Sequence, residues 1–232
     1  TNACFHIDSD DNKEKASSGR RRFLIVTRVI RVRRGLLAMI CAGLIAVSAL
    51  FHVVAQTALY TSEQREIVLD AGHGGLDPGA VSADGISEKD INLDIVLILR
   101  DLLTASGFSV TLTRETDCSL HEEGCRTVAE KKTSDLKKRL SIIKEHPQAV
   151  VVSVHQNHFG ESKYHGAQMF AGPKNEQSRV LAEYLQASFR QTLQPENTRE
   201  VKTATSSVYI IHEAPNPIVL AECGFLSNPQ ES

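Results

Sequence analysis

Several features that direct a chain towards other functions are missing from these 232 residues. The formal net charge at pH 7 is only −2, so the composition gives no reason to expect a nucleic-acid partner. The sequence contains no Cys-x-x-Cys pair that suggests a structural zinc site and no His-Glu-x-x-His helix typical of a zinc peptidase. It also contains no internal repeat or low-complexity tract. What remains is the composition of a globular protein, 41% hydrophobic and 23% charged.

Asp, Glu, Lys and Arg are also missing from the run between Gly35 and about Ala58. A run of about 20 apolar residues is long enough to cross a bilayer as a helix. Seven arginines lie between residues 20 and 34, directly before it. This order predicts a cytoplasmic tail at 1–34 and an extracytoplasmic domain at 59–232. The segment 35–58 is then either a transmembrane anchor or a signal segment cleaved near Val53–Ala55.

Two of the five cysteines, Cys118 and Cys125, are close enough in sequence to share a loop. Outside the cytoplasm such a pair either forms a disulfide or stays reduced, and the sequence leaves both states open.

Strand and helix patterns alternate along the exported part of the chain. Apolar and β-branched runs predict strands at 66–70, 109–113, 149–155, 167–171, 208–211 and 218–223. Helical spacing predicts helices at 87–106, 134–146 and 176–193. We therefore expect an α/β fold, a single sandwich domain with a mostly parallel twisted sheet flanked by helices.

Four polar residues interrupt this framework at matching places. His73 follows the first strand, Glu88 opens the first helix, His155 ends the most apolar strand, and Glu222 lies near the end of the last one. Ligand sites of α/β sheets form at the carboxyl ends of strands, and two imidazoles with two carboxylates suit zinc. Each residue alone also fits a structural role, as a turn residue, a helix-terminal charge or a satisfied core group.

The segments around these residues carry a family resemblance. Asp70–Ala80 (DAGHGGLDPGA), Ser87–Leu93 (SEKDINL), Ser153–Asn157 (SVHQN) and Ala221–Asn228 (AECGFLSN) resemble, in this order, four motifs of the zinc-dependent N-acetylmuramoyl-L-alanine amidases of the Amidase_3 type. The resemblance extends from about residue 66 to the C-terminus, and within the family the chain is most similar to the CwlD-like branch.

The resemblance implies a cell-wall hydrolase that cuts the amide bond between N-acetylmuramic acid and L-alanine in peptidoglycan. It implies one zinc ion per catalytic domain, held by His73, Glu88 and His155, with Glu222 as the catalytic acid/base. It also implies a further helix after Asn228, so this sequence, which ends at Ser232, is either truncated or lacks that helix.

Three further residues are weaker candidates for substrate binding. Asn157 either contacts substrate or is only a turn residue. Arg199 and Lys202 lie in a loop similar to one in the family, where they either pair with carboxylates of the stem peptide or are solvated loop charges.

An alternative function of a different class is an inactive peptidoglycan-binding or regulatory module of the same fold. None of the four motif residues is lost, which favours the enzyme. The expected partners are peptidoglycan, the membrane through the N-terminal segment, and a protein activator that the sequence does not identify. The physiological role, in division, wall turnover, sporulation or germination, is likewise open.

Overall fold

The computed structural model of the chain describes residues 66–232, together with the single residue Ser48. The tail predicted at 1–34 lies outside the described residues. So do the segment predicted at 35–58, apart from Ser48, and the first residues of the predicted domain. No helix among the described residues is both long enough and apolar enough to cross a membrane.

Six strands and four helices make up the described domain. The strands are β1 (Glu66–Ala71), β2 (Ser109–Leu112), β3 (Val150–Asn157), β4 (Gln168–Ala171), β5 (Lys202–Thr203) and β6 (Ile218–Phe225). The helices are α1 (Glu88–Ala105), α2 (Val128–Glu145), α3 (Glu176–Thr192) and α4 (Tyr209–Glu213).

The strands form one mixed sheet in the order β2-β1-β3-β6-β4-β5. Strands β2, β1, β3 and β6 are parallel, whereas β4 pairs antiparallel with β6 and β5 pairs parallel with β4. The expectation of an α/β fold is confirmed, but the sheet is mixed because its β4-β5 end runs the other way. The carboxyl ends of β1, β3 and β6 therefore lie at one edge of the sheet, beside the start of β4.

Helices cover both faces of the sheet, which explains why the central strands are apolar on both sides. On one face Val68 and Val151 pack with Leu140 and Ile143 of α2. On the other face Leu69 and Val154 pack with Val96 of α1, and Met169 and Val219 pack with Ala182 of α3. Side chains alternate between faces along a strand, so His155 and Glu222 share the face that α2 covers.

Two of the predicted elements differ from the structure. The strand predicted at 208–211 is wrong, because Tyr209–Glu213 is the short helix α4 and buries Ile210 and Ile211 against the core. The helix predicted from 134 begins earlier, at Val128. Thr127 and Glu130 form a capping box there, in which the hydroxyl of Thr127 accepts from the Glu130 amide and the Glu130 carboxylate accepts from the Thr127 amide.

Candidate metal centre and active site

Three of the predicted site residues meet at the carboxyl edge of the sheet. Nε2 of His73 lies 3.2 Å from Oε2 of Glu88, and Nδ1 of His155 lies 2.9 Å from Oε1 of the same carboxylate. One potential ligand atom from each residue falls within 4.8 Å of the other two. The strand ends and the start of α1 thus bring together side chains that are up to 82 positions apart in the sequence.

The Glu88 carboxylate is fixed by the backbone around it. Oε2 accepts a hydrogen bond from the amide of Ala80 at 2.9 Å, and Oε1 accepts one from the amide of Gln156 at 3.1 Å. The side-chain amide of Asn92, one helical turn along α1, donates to Oε1 at 3.3 Å. Burial alone raises the pKa of Glu88, but its hydrogen bonds with the two histidines outweigh burial and lower that pKa. The residue is therefore held as a carboxylate in one orientation.

A carboxylate on the other side of its ring orients His73. Nδ1 of His73 lies 3.0 Å from Oδ2 of Asp77, and the ammonium of Lys132 lies 3.3 Å from the same oxygen. Contacts of this kind fix the ring orientation and the tautomer of a metal-binding histidine. Nε2 is thereby left to face Glu88. His73 also has a left-handed backbone, with φ of 61°, which is uncommon for a residue other than glycine.

Two glycines leave the space that the histidine rings occupy. A Cβ atom on Gly72 would overlap the imidazole ring of His155. A Cβ atom on Gly79 would overlap Oε2 of Glu88 and lie 2.7 Å from Cδ2 of His73. Any side chain at either position would displace a member of the cluster.

Glu222 is the neighbour of His155 in the sheet, since the two residues are register partners on β6 and β3. Its Oε2 is shielded from solvent and has no hydrogen-bond partner within the described part of the chain. Burial raises the pKa of this carboxyl, and the negative charge of Glu88 adds to the effect, while the histidines partly oppose it. The structure thus places a second carboxyl, with the opposite shift in pKa, beside the three-residue cluster.

A buried ion pair that the sequence did not reveal supports the chain segment that carries His73. Arg139 of α2 is 1% exposed, and its Nη1 donates to Oδ1 of Asp70 at 2.8 Å. The same guanidinium donates to the carbonyl oxygens of Ala71 and His73, both at 2.6 Å. It therefore holds the chain in place where it leaves β1. An arginine within a helical pattern gives no sign of this burial, whereas Asn92, four residues after Glu88, could have been found from helical spacing.

The three candidates for substrate binding lie outside the cluster. Asn157 is half-buried at the end of β3, and its carbonyl accepts from the amide of Leu226. Arg199 donates to Oε1 of Gln168, the β4 residue that pairs with Glu222, and its guanidinium lies 4.6 Å from the ring centre of Phe225. Lys202 is exposed on β5, at the end of the sheet beyond β4. Their roles in substrate binding stay predictions.

The three cysteines among the described residues are not part of the cluster. Cys118 and Cys125 are both free thiols. Cys223 faces away from Glu222 into the core between the sheet and α1, and burial raises the pKa of its thiol to about 12.

The donor set of the cluster is two imidazole nitrogens and one carboxylate, which fits zinc in a three-ligand site that keeps a position open. The unpartnered Oε2 of Glu222 also fits a group that acts on a molecule bound there.

Comparison with known proteins agrees with this arrangement. Residues 67–232 match the sequence profile described as N-acetylmuramoyl-L-alanine amidase. The germination-specific N-acetylmuramoyl-L-alanine amidase of Bacillus subtilis is 36% identical over 166 residues, which span 72% of this chain and 69% of that protein.

Solved structures give the same result. The CwlD amidase from Clostridioides difficile, solved in complex with the GerS lipoprotein, superposes with a TM-score of 0.68 at 44% identity, over 72% of this chain and 85% of that one. An N-acetylmuramoyl-L-alanine amidase from Clostridium difficile 630 superposes with a TM-score of 0.62 at 26% identity, over 73% of this chain and 84% of that one.

Proposed function

Because this chain belongs to the N-acetylmuramoyl-L-alanine amidase family, we propose that it cuts the bond between N-acetylmuramic acid and L-alanine as a zinc-dependent enzyme. The observation that carries the zinc proposal is the cluster of His73, Glu88 and His155, whose ligand atoms lie within 4.8 Å of one another. These three residues would hold the ion and leave its fourth position open. A zinc ion bound there supplies a Lewis acid that polarises the substrate carbonyl and acidifies water.

In the proposed reaction, Glu222 is the residue that transfers protons. Its Oε2 has no partner in the described structure, so it is free to accept the proton of the attacking water. The same carboxyl then returns the proton to the departing L-alanine nitrogen, which makes that nitrogen a better leaving group. A single acid/base residue suffices for this sequence of transfers, and no serine or cysteine nucleophile is needed. Cys223, although next to Glu222, faces the other side of the sheet.

Asp77, Asn92 and Arg139 act on the site through its ligands. Asp77 orients the His73 ring, Asn92 steadies the Glu88 carboxylate, and Arg139 holds the carbonyl of His73. Together they keep the donor atoms in place before any substrate arrives, which is how a preorganised site lowers the cost of reaction. An inactive wall-binding module would not need these supports, so the arrangement favours the enzyme over that alternative.

The experiment that tests this function combines metal analysis with fragment analysis. We expect the purified protein to carry about one zinc ion per chain, as a catalytic zinc domain does. Digestion of purified peptidoglycan should release stem peptides that begin with a free L-alanine amine, seen by mass spectrometry. A chelator should abolish this release and added zinc should restore it. Full activity without metal would refute the zinc dependence, and fragments cut at another bond would refute the amidase.

We propose in addition that the domain works outside the cytoplasmic membrane and with a protein partner. The arginine-rich segment before the apolar run supports the location. The complex of the similar CwlD amidase with a lipoprotein supports the partner. A role in spore germination is supported by the name of the B. subtilis relative.

A further inference from the structure

A cleft of about 290 Å³ opens beside the metal cluster. His73 and His155 line one end of it, and residues of α2 line its side. Its size lies near the lower limit of about 300 Å³ for small-ligand pockets, enough for a short peptide fragment rather than a whole stem. Since His73 and His155 form part of its wall, a group that occupies the cleft lies next to the metal cluster.

The wall of the cleft is largely apolar. Leu76 follows the His73 loop, Val128 and Leu136 come from α2, and Ile210 comes from α4. Leu76 is 71% exposed and Val128 is 79% exposed, so both present apolar surface to solvent at the cleft. Exposed apolar residues grouped around a concave surface indicate a place where ligand methyl and methylene groups are covered.

The charged residues of the cleft are not equivalent. The Lys132 ammonium lies 3.3 Å from Asp77, and Asp135 accepts from Nε of Arg139 at 2.6 Å. Both are therefore committed to partners. Lys131 is half-buried in the same wall, and its ammonium has neither an ion pair nor a hydrogen bond with any described residue. The cleft that the two histidines help to line thus also presents a positive charge that has no partner among the described residues.

We propose that Lys131 binds the carboxylate of the second residue of the stem peptide and so determines which stems are cut; this rests on the proposed amidase function. That second residue is acidic, and its α-carboxyl occurs either free or as a carboxamide. It follows the scissile L-alanine by one residue, a reach of about 3.5 Å along an extended chain. The alanine methyl and the acidic residue's methylenes then lie against Leu76 and Val128.

The charge on Lys131 should discriminate between the two forms of the stem. A carboxylate forms a charge-assisted hydrogen bond with an ammonium, whereas a carboxamide forms only a weaker neutral-acceptor bond. The wild type should therefore bind the free-acid stem more tightly than the amidated one. Substitution at Lys131 should remove this preference while leaving the metal site intact, since Lys131 contacts none of the three cluster residues through a hydrogen bond or ion pair among the described residues.

The test uses muramoyl dipeptides whose second residue has its side-chain carboxyl capped as an amide and its α-carboxyl either free or amidated. Binding is measured by calorimetry on the full chain carrying Glu222→Gln, with or without Lys131→Met, and turnover is measured on the same pair with Glu222 present. For the free-acid ligand we expect Lys131→Met to weaken binding about tenfold, as loss of a charge-assisted hydrogen bond would. The amidated ligand should lose much less affinity, because its neutral acceptor forms only a weak bond with the ammonium. KM should carry the effect, and Lys131→Arg should restore most of the preference.

Lys138→Met is the matched control, because Lys138 is exposed two turns further along α2 and does not line the cleft. Equal losses for both ligands, no loss for either, or the same loss with Lys138→Met would overturn the assignment. If the wild type cuts neither dipeptide, the proposed function itself fails. If it cuts both and the charge at 131 makes no difference, the function stands and only the role of Lys131 is rejected.

Discussion

Glu88 and Glu222 share one site, but their surroundings shift their pKa values in opposite directions. Glu88 accepts hydrogen bonds at both carboxylate oxygens, and its pKa is lowered despite burial. Glu222 has a shielded oxygen without a partner within the described residues, and burial raises its pKa. A pair of carboxyls whose pKa values are shifted in opposite directions is typical of sites that give the two groups different roles. The roles proposed here are metal binding for Glu88 and proton transfer for Glu222. The division can be tested because each role fails in its own way.

Replacing Glu222 by Gln should separate catalysis from metal binding. The carboxamide has the shape of the carboxylate but cannot accept the proton, so amidase activity should fall by about 100-fold or more, the lower range for a general acid–base group. Zinc content should stay near the wild-type value. His155→Ala should lose zinc and activity together, because two protein ligands hold the ion poorly. Zinc content and muropeptide release are measured on the same protein preparations.

Glu196→Gln serves as the control, since Glu196 is exposed in the loop after α3. It should change neither quantity. A Glu222→Gln protein that cuts at the wild-type rate would place the base elsewhere. Loss of zinc in that protein would make Glu222 part of the metal site.

The positions of His73 and His155 at strand ends, and of Glu88 at a helix start, predicted that these residues would lie at one edge of the sheet. The family resemblance then identified them as a ligand set. The same pattern does not reveal side chains that act through those residues. Asp77 lies within the first motif, yet nothing in the motif shows that it contacts the His73 ring. Lys131 lies in a charged stretch of α2 that reads as a solvated face, and only the packing of that helix against the sheet brings it to the cleft.

Among the secondary-structure elements, helix α1 and most strands were predicted well, whereas the start of α2 and the short helix α4 were not. Helix α1 was expected at 87–106 and occupies Glu88–Ala105. The apolar residues at 208–211 are too few for periodicity to distinguish a strand from a buried helical turn. The residues of β4 also do not indicate that this strand runs antiparallel to β6, because its direction depends on the connection that follows β3.

The ion pair between Asp70 of β1 and Arg139 of α2 predicts how the stability of the fold depends on pH. Burial raises the pKa of Asp70, but the Arg139 guanidinium and the hydroxyls of Ser153 and Thr113 outweigh it and hold that pKa at about 2. Because the folded value lies below the unfolded value, the stabilising contribution is complete above about pH 4. It is lost as the pH falls through about 2. The free energy of unfolding should therefore decline by about 2 kcal/mol from this group between pH 5 and pH 2.

Asp70→Asn should remove this component of the pH dependence. At neutral pH it should also lower the free energy of unfolding by about 3 kcal/mol, the lower end of the range for a broken buried ion pair, since the buried Arg139 keeps only Asp135 as a carboxylate partner. Urea unfolding of both proteins at several pH values measures the difference, which should shrink as the medium becomes acidic. Asp94→Asn, an exposed change on α1, should leave the profile unaltered. A constant difference at every pH would refute the linkage to Asp70.

At the scale of the whole chain, the prediction concerns the side of the membrane on which the domain lies. The arginines before residue 35 should keep the N-terminus in the cytoplasm and place residues 59–232 outside. Protease added to intact protoplasts should then degrade the domain, while a cytoplasmic protein in the same sample stays intact. Protection of the domain until the cells are lysed would contradict export. The N-terminal residue of the mature protein shows separately whether the segment at 35–58 is cleaved.

The glycines that leave room for the histidine rings affect how mutational scans of this molecule should be interpreted. Alanine scanning usually identifies a functional residue by removing the atoms that do the work. At Gly72 and Gly79 the substitution adds a methyl group where His155 or Glu88 already lies, so the damage comes from atoms gained. A scan that skips glycine, as many do, would map the chemistry of the site and miss the empty volume that shapes it. Some of the positions that tolerate substitution least are therefore glycines, which have no side chain for a scan to remove.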